Sequence, residues 1–559
     1  MSKINLNDYP RPQLKRDSYI PLNGEWNFEI SKSEDIPSSF SKKIIVPFSP
    51  ESRINHLIDV VRPDDYIFYQ REIRIEKSFL KDKLIIHFGA VDQIADVYFN
   101  DEHLIHHEGG FLPFEVVIGK DKVKEVNNLI VKVKDLTDTS YLSRGKQKLK
   151  RGGIWYSPQS GIYMPVWMES VSNDYIKDIK ITPDIDNRKV HIKIDSDSDN
   201  IVIHFNQKDY HPKDKEIDIT IYNMHLWSPE DPYLYPLEIR TDNDYVLSYL
   251  AMRKFSIIND GKYQRLALNN KPYFMKGVLD QGYYIDGGLT PTSFEDYEKD
   301  ITLLKELGFN TIRKHIKIES MIWYHLCDKL GMIVWQDFVN GGTTYKFPTI
   351  AFPLITGVHH KDTAYRRFGR ASKEGREKTY QEFVDTINLL YNVPSIGLWT
   401  IFNEGWGQFD AKDIYSKLVK IDSTRLYDHA SGWHDQGVSD TKSLHVYFKA
   451  VKMPKEKHIK NRSVILSECG GYQLREEGHT FNDTNFGYKK MRSSKELEDA
   501  YEAFINRDVI SNIPKGLSAF IYTQLSDVED ELNGFITYDR EVVKVDKDRI
   551  KEINELIHF

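Results

Sequence analysis

Two stretches of the chain place a carboxylate where an apolar run ends. WTIFNEGWG (residues 399–407) sets Asn403 beside Glu404 and closes on Gly-Trp-Gly, and ILSECGG (465–471) carries Glu468. Burying a bare carboxylate is costly, so each needs a chemical or structural reason. A single glutamate at a strand end is most often a solvated rim residue. Two in like settings suggest a pair facing one substrate. Carboxyl groups about 5–5.5 Å apart are the arrangement of retaining glycoside cleavage: one attacks the anomeric carbon, the other donates and then recovers a proton. Environment divides the roles. Glu404, with Phe402 and Trp406 near it in sequence, suits the proton donor, because apolar neighbours raise a carboxyl pKa. Glu468 suits the ion, with Arg313 and Tyr447 as candidate hydrogen-bond donors.

The elements that would position this pair begin near residue 265, where strands start to alternate with amphipathic helices. YFMKGV, TIRKHI, MIVWQDF, SIGLWTIFNE, LYDHAS, SLHVY, SVILSECG and LSAFIYTQLSD supply eight strands. In the helix after the first, Tyr297, Ile301, Leu304 and Leu307 recur at helical spacing and Gly308 ends it. Eight βα units in roughly 295 residues predict a (β/α)8 barrel. A doubly wound sheet is the alternative, but the chain lacks its Gly-rich phosphate turn. Barrel sites gather at the C-terminal strand ends. That rule nominates Asp280, Arg313, His315, Asp337, Asn403, His445, Tyr447 and Gln524 as substrate-binding candidates, with Trp406 and Trp433 walling a sugar from the loops beyond. Strand alternation predicts one shared face for Leu398, Thr400, Phe402 and Glu404, and another for Val464, Leu466 and Glu468, with Cys469 turned away. Trp335 reads as packing.

Upstream, residues 1–175 are short β-branched and aromatic segments punctuated by Gly, Asn and Asp, which predicts a jelly-roll β-sandwich. Residues 176–262 repeat strands every eight to twelve residues, as in an immunoglobulin-like sandwich. Residues 263–559 hold the barrel. The charged run in KLKRGGIW (148–155) reads as a solvated loop or as a segment reaching over the barrel from the first domain.

The 559 residues carry 76 basic and 83 acidic side chains, a net charge of −7. This balance gives no reason to expect nucleic acid or an anionic membrane as partner. Two cysteines, Cys327 and Cys469, imply no disulfide framework and favour a reducing compartment. The first residues lack an apolar run of signal-peptide length, so a cytoplasmic location is expected. The scattered histidines lack metal-ligand spacing, and neither a cofactor nor a metal is expected.

Several pieces together resemble glycoside hydrolase family 2 along nearly the whole chain: LNGEWNF, IADVYFND and QSGIYMPVWME early on, then LNNKPYFMKGV, LGFNTIR, CDKLGMIVWQDF, NVPSIGLWTIFNE and ILSECGG. The resemblance implies that Glu404 is the acid/base, Glu468 the nucleophile, and that Asn403 bonds the sugar 2-hydroxyl. It further implies a terminal non-reducing glycoside as substrate and self-association into a homo-oligomer. There are departures. The second strand reads RKHIKIES where many members have Arg-x-Ser-His-Tyr-Pro, and the Asn-x-Lys element of family glucuronidases is not evident around ELNGFITYDRE. The expected activity is β-galactosidase-like. Furanosidase (β-galactofuranosidase or α-L-arabinofuranosidase) and β-glucuronidase activities stand as alternatives, and a non-catalytic carbohydrate-binding protein is the alternative of another class. The loops 339–375 and 472–493 would read the sugar, and their conformation is not set by pattern.

Overall fold

The computed structural model describes residues 4–559, apart from the side chains of Leu354 and Ile355. Its first part is two antiparallel sheets face to face. A four-stranded sheet orders 19–21, 166–171, 83–88 and 114–119. A six-stranded sheet orders 42–46, 24–31, 66–74, 126–134, 94–99 and 102–108. Inward residues such as Trp26, Phe28, Tyr69, Ile86 and Phe88 fill the space between them. A second, smaller sandwich follows, with three strands (176–184, 189–196, 216–220) facing four (208–210, 202–205, 235–240, 245–250). Its core is largely isoleucine and valine, which suits a pleated surface. The run YVLSYLAMRKFSI breaks after Leu250. Its second half (255–259) joins 264–268 and 271–272 in a separate three-stranded sheet.

The remainder is the parallel barrel: β1 Met275–Asp280, β2 Thr311–Lys314, β3 Ile333–Asp337, β4 Ile396–Thr400, β5 Leu426–Asp428, β6 Thr441–Val446, β7 Ser463–Gly470 and β8 Leu517–Thr523. All ladders are parallel, ordered β5-β4-β3-β2-β1-β8-β7-β6, so the sheet curls until β5 and β6 stand side by side. Met275, Leu279, Ile333, Trp335, Leu398, Leu426, Ile465, Ala519 and Ile521 pack inside it. Trp227, Phe255 and Leu266, from the preceding segments, close its lower end. Trp335 is thus a core residue. Helices 294–306, 321–330, 373–390, 411–421 and 494–504 cover the outside, and 547–555 ends the set. The eight-unit pattern is incomplete: the β5–β6 connection has no helix and the β6–β7 connection has only four helical residues, 456–459. No helix among the described residues is long and apolar enough to cross a membrane.

Candidate active site

At the C-terminal rim, Glu404 and Glu468 face each other. One carboxylate oxygen of each, together with a ring nitrogen of His445, lies within 4.8 Å of the others. Neither glutamate arrives there by simple strand alternation. The β4 ladder stops at Thr400. Leu398 packs inside the barrel, but Phe402 packs outside, against Phe383 and Phe409. A turn beyond the strand then delivers Glu404 at φ +50°, a left-handed conformation that costs on the order of 1–3 kcal/mol unless its surroundings impose it. They do so here. The Glu404 N–H donates to the Ser431 carbonyl at 2.9 Å, and the Trp433 indole N–H donates to the Glu404 carbonyl at 2.8 Å. In β7, Ile465 lies inside and Leu466 outside. The pairing with β6 then skips Ser467, so that Leu444 meets Leu466 and His445 meets Glu468. This bulge turns Glu468 inward. The shared face expected for Val464, Leu466 and Glu468, and that for Leu398 through Glu404, are therefore corrected.

Around the pair the bonds are short. Tyr447 donates its hydroxyl to Glu468 at 2.6 Å and lies 3.3 Å from Glu404. His445 Nδ1 is 2.8 Å from Glu404 Oε1 and 3.8 Å from Glu468 Oε2. Its Nε2 meets Ser431 Oγ at 2.9 Å, and that hydroxyl donates on to Ser467 at 2.8 Å. Arg313, fully buried, is the hub. Its Nε and Nη2 fork onto Asp337 at 2.9 Å each, Nη2 reaches the Asn403 carbonyl oxygen at 2.7 Å, and Nη1 stands 3.5 Å from Glu468. With its oxygen held by Arg313, the amide nitrogen of Asn403 is buried without a partner among the described residues, a donor left for a ligand. His315 Nδ1 lies 2.7 Å from Asp337.

Burial governs the protonation of this cluster. It pushes the Glu404 carboxyl up to about 7, with Lys146, Arg313 and the Tyr447 hydroxyl pulling the other way. It pushes His445 down to about 4 and His315 well below the usual imidazole range, helped by Lys146 and Arg313. Both rings are therefore neutral near pH 7. If the Ser431 hydroxyl spends its proton on Ser467, His445 Nε2–H donates to Ser431 and Nδ1 is left to accept the Glu404 proton.

The remaining candidates divide. Trp406 sits over the mouth, its ring 5.1 Å from Trp155 and 6.1 Å from His315, and Trp433 lies edge-on to His445 at 5.5 Å. Gln524 joins an amide chain with Gln281 and Asn533, at 2.7 Å on either side, and also hydrogen-bonds Glu531. Asp280 is a correction. Leu279 takes the inner position on β1, so Asp280 points outward and bonds the Lys314 ammonium at 2.6 Å in a buried cluster with Glu319.

Pattern reading missed several neighbours. Tyr488, from the loop 472–493, stacks on Tyr447 at 4.0 Å. Its loop is pinned where 472–473 pairs with 489–490. The loop after β3 carries two short helices, 347–350 and 352–356. The first domain also enters the site. Arg144 N–H bonds the Asn340 carbonyl, Arg151 to Ser157 run along Glu529–Glu531, and Trp155 meets Trp406. The signal for this was the KLKRGGIW run, and the acidic VEDE stretch after β8 was its unread counterpart.

A parallel barrel holding two facing glutamates at its C-terminal rim is the frame of a glycoside hydrolase. Comparison with known proteins agrees with that class. Residues 20–168 match the sugar binding domain of glycosyl hydrolases family 2, 174–251 a further family 2 domain, and 260–486 the family's TIM barrel domain. The chain belongs to glycoside hydrolase family 2. A β-glucuronidase of Streptococcus agalactiae is 25% identical over 451 residues, covering 74% of this chain and 71% of that one. A β-galactosidase of Lactococcus lactis is 28% identical over 466 residues, covering 76% of this chain and 43% of the relative. The chain thus spans under half the length of that galactosidase. Among solved structures, a β-glucuronidase from an uncultured Clostridium superposes with a TM-score of 0.76 at 18% identity, covering 98% of this chain and 99% of the other. A β-galacturonidase from Eisenbergiella tayi gives 0.71 at 17% identity, covering 98% and 100%. At such identities the structural likeness speaks for the fold.

Proposed function

We propose that the chain is a retaining exo-glycosidase acting on terminal β-galactoside-like sugars. Glu468 attacks the anomeric carbon while Glu404 protonates the departing oxygen. Glu404, now a carboxylate, then takes a proton from the water that releases the sugar with net retention. The observation that carries this is the approach of the two carboxylates within 4.8 Å, with Glu404 in surroundings that keep it protonated to about pH 7. Arg313 and Tyr447 hold Glu468 ready for attack, Asn403 offers its free amide N–H to a hydroxyl beside the reacting carbon, and His445 orients the Glu404 proton. His315 and Asp337 support this set from the β2–β3 side. The two cysteines, both buried and unpaired, fit action in the cytoplasm.

The test is turnover of an aryl glycoside by Glu468→Ala. Activity should all but vanish, and azide should restore it by giving the inverted glycosyl azide. A loss of tenfold or less, about 1.4 kcal/mol of barrier, refutes the nucleophile assignment. A second reading, β-glucuronide cleavage, is favoured by the name of the Streptococcus agalactiae relative. A panel of aryl β-galactopyranoside, β-galactofuranoside, α-L-arabinofuranoside and β-glucuronide decides between the two.

A further inference from the structure

One charged side chain near the glutamate pair does not belong to the barrel. Lys146 comes from the first sandwich, on a segment clamped to two barrel loops. Arg144 N–H donates to the Asn340 carbonyl and its guanidinium to Gly342 in the loop after β3. Arg151, Gly153, Tyr156 and Ser157 grip Glu529, Asp530 and Glu531 in the loop after β8. Between these anchors the Lys146 ammonium lies 5.7 Å from the Trp406 ring centre and 5.3 Å from that of Tyr156. Only 6% of the residue is exposed.

Among the described residues, the charged partner nearest this ammonium is Glu531 Oε2, at 4.0 Å. That is beyond hydrogen-bond length, and an ammonium has three protons to place. Glu531 is itself buried, which raises its carboxyl pKa while Lys146 pulls it back down, and the Tyr156 hydroxyl and the Gln524 side chain hydrogen-bond it. An oxygen about 2.8 Å from each group fits between them with an angle of roughly 90°. A hydroxyl has both functions this gap asks for: it accepts from the ammonium and donates to the carboxylate. A carboxylate from the substrate has no proton for Glu531 and would be repelled by it.

We infer that Lys146, brought in by the first sandwich, and Glu531, following β8, together hold one ring hydroxyl of a neutral sugar and set the specificity of this site. The inference rests on the glycosidase reading above and adds the sugar class and two residues that read it.

The experiment uses the full chain and aryl β-D-galactopyranosides lacking one ring hydroxyl each. Removing the hydroxyl held by the pair should cost wild type about tenfold or more in kcat/KM, the scale of a bond to a charged group. In Lys146→Met, and likewise in Glu531→Leu, the penalty for the same deoxy analogue should shrink, and in the double variant it should vanish. Lys146→Arg should restore part of the discrimination. If every deoxy analogue is penalised alike in wild type and both variants, the inference is wrong. A wild type that prefers the aryl glucuronide, or a Lys146→Met variant that loses only glucuronide cleavage, also overturns it. Failure of the glycosidase reading looks different: the wild type would release no aglycone from any member of the panel, or Glu468→Ala would remain active.

Discussion

Glu404→Gln removes both proton-transfer roles of this side chain, acid and base, while keeping its size. Glutamine keeps the shape, but it cannot give up a proton. General acid catalysis contributes about 10²–10⁴-fold in rate, which is roughly 2.7–5.4 kcal/mol of barrier. The whole of that loss should appear only when the leaving group needs protonation. With a methyl or simple alkyl glycoside, kcat/KM should fall by this factor. With a dinitrophenyl glycoside, whose leaving group departs as a stable anion, the first step should be nearly unchanged, and slow release of the sugar should then appear as a burst of dinitrophenol. The pH profile carries the second half of the prediction. Burial raises the Glu404 carboxyl to about 7, so the alkaline limb of wild-type kcat/KM on a poor leaving group should fall near pH 7 and should be missing in Glu404→Gln. The charged and titratable groups facing this carboxyl are Lys146, Arg313, Glu531, Tyr447, His445 and Glu468. Burial keeps His445 neutral, so it does not supply that limb. Stopped-flow and steady-state measurements over a series of leaving groups make the test. Equal losses on the alkyl and dinitrophenyl substrates, or a limb near pH 7 that survives the substitution, would refute the assignment.

Three further outcomes follow from the same geometry. The folded state raises the Glu404 pKa, so the stability this group contributes is full below its unfolded value and lost as pH rises through about 7. Glu404→Gln should therefore raise the melting temperature relative to wild type at pH 8 but not at pH 4. Arg313→Met strands Asp337 and leaves Asn403 and Glu468 without their cation. It should cost about 3–5 kcal/mol of stability, read by denaturant titration, as well as activity, whereas loss of activity with unchanged stability would contradict the hub role. Trp155→Ala removes the first-domain wall packed on Trp406 and should raise KM while leaving the barrel's melting transition near its wild-type position.

The barrel was legible because its strands are near-continuous apolar runs separated by helices of clear period, and the two glutamates because each interrupts such a run. What alternation could not supply is the local geometry that aims them. Ser467 is an extra residue in β7 that nothing in ILSECGG announces, and the positive φ at Glu404 depends on the neighbouring Ser431 carbonyl and Trp433. Asp280 shows the converse error. A polar strand end reads as a site residue, yet here it answers Lys314 in a buried outer-face ion cluster. The missing connection helices around β5 and β6 left room for loops, which pattern had counted as a regular unit. Lys146, Tyr488 and Glu531 were out of reach for a different reason. Their part in the site depends on how distant segments dock, and no local period encodes that.

The seam between the first sandwich and the loops after β3 and β8 has a consequence for biosynthesis. Position 146 leaves the ribosome long before position 531, so a nascent chain holds one half of the seam with nothing to receive it. The mouth takes its final outline only when the eighth strand has closed the ring. Catalytic power should therefore appear late and all at once during synthesis, instead of growing with each finished domain.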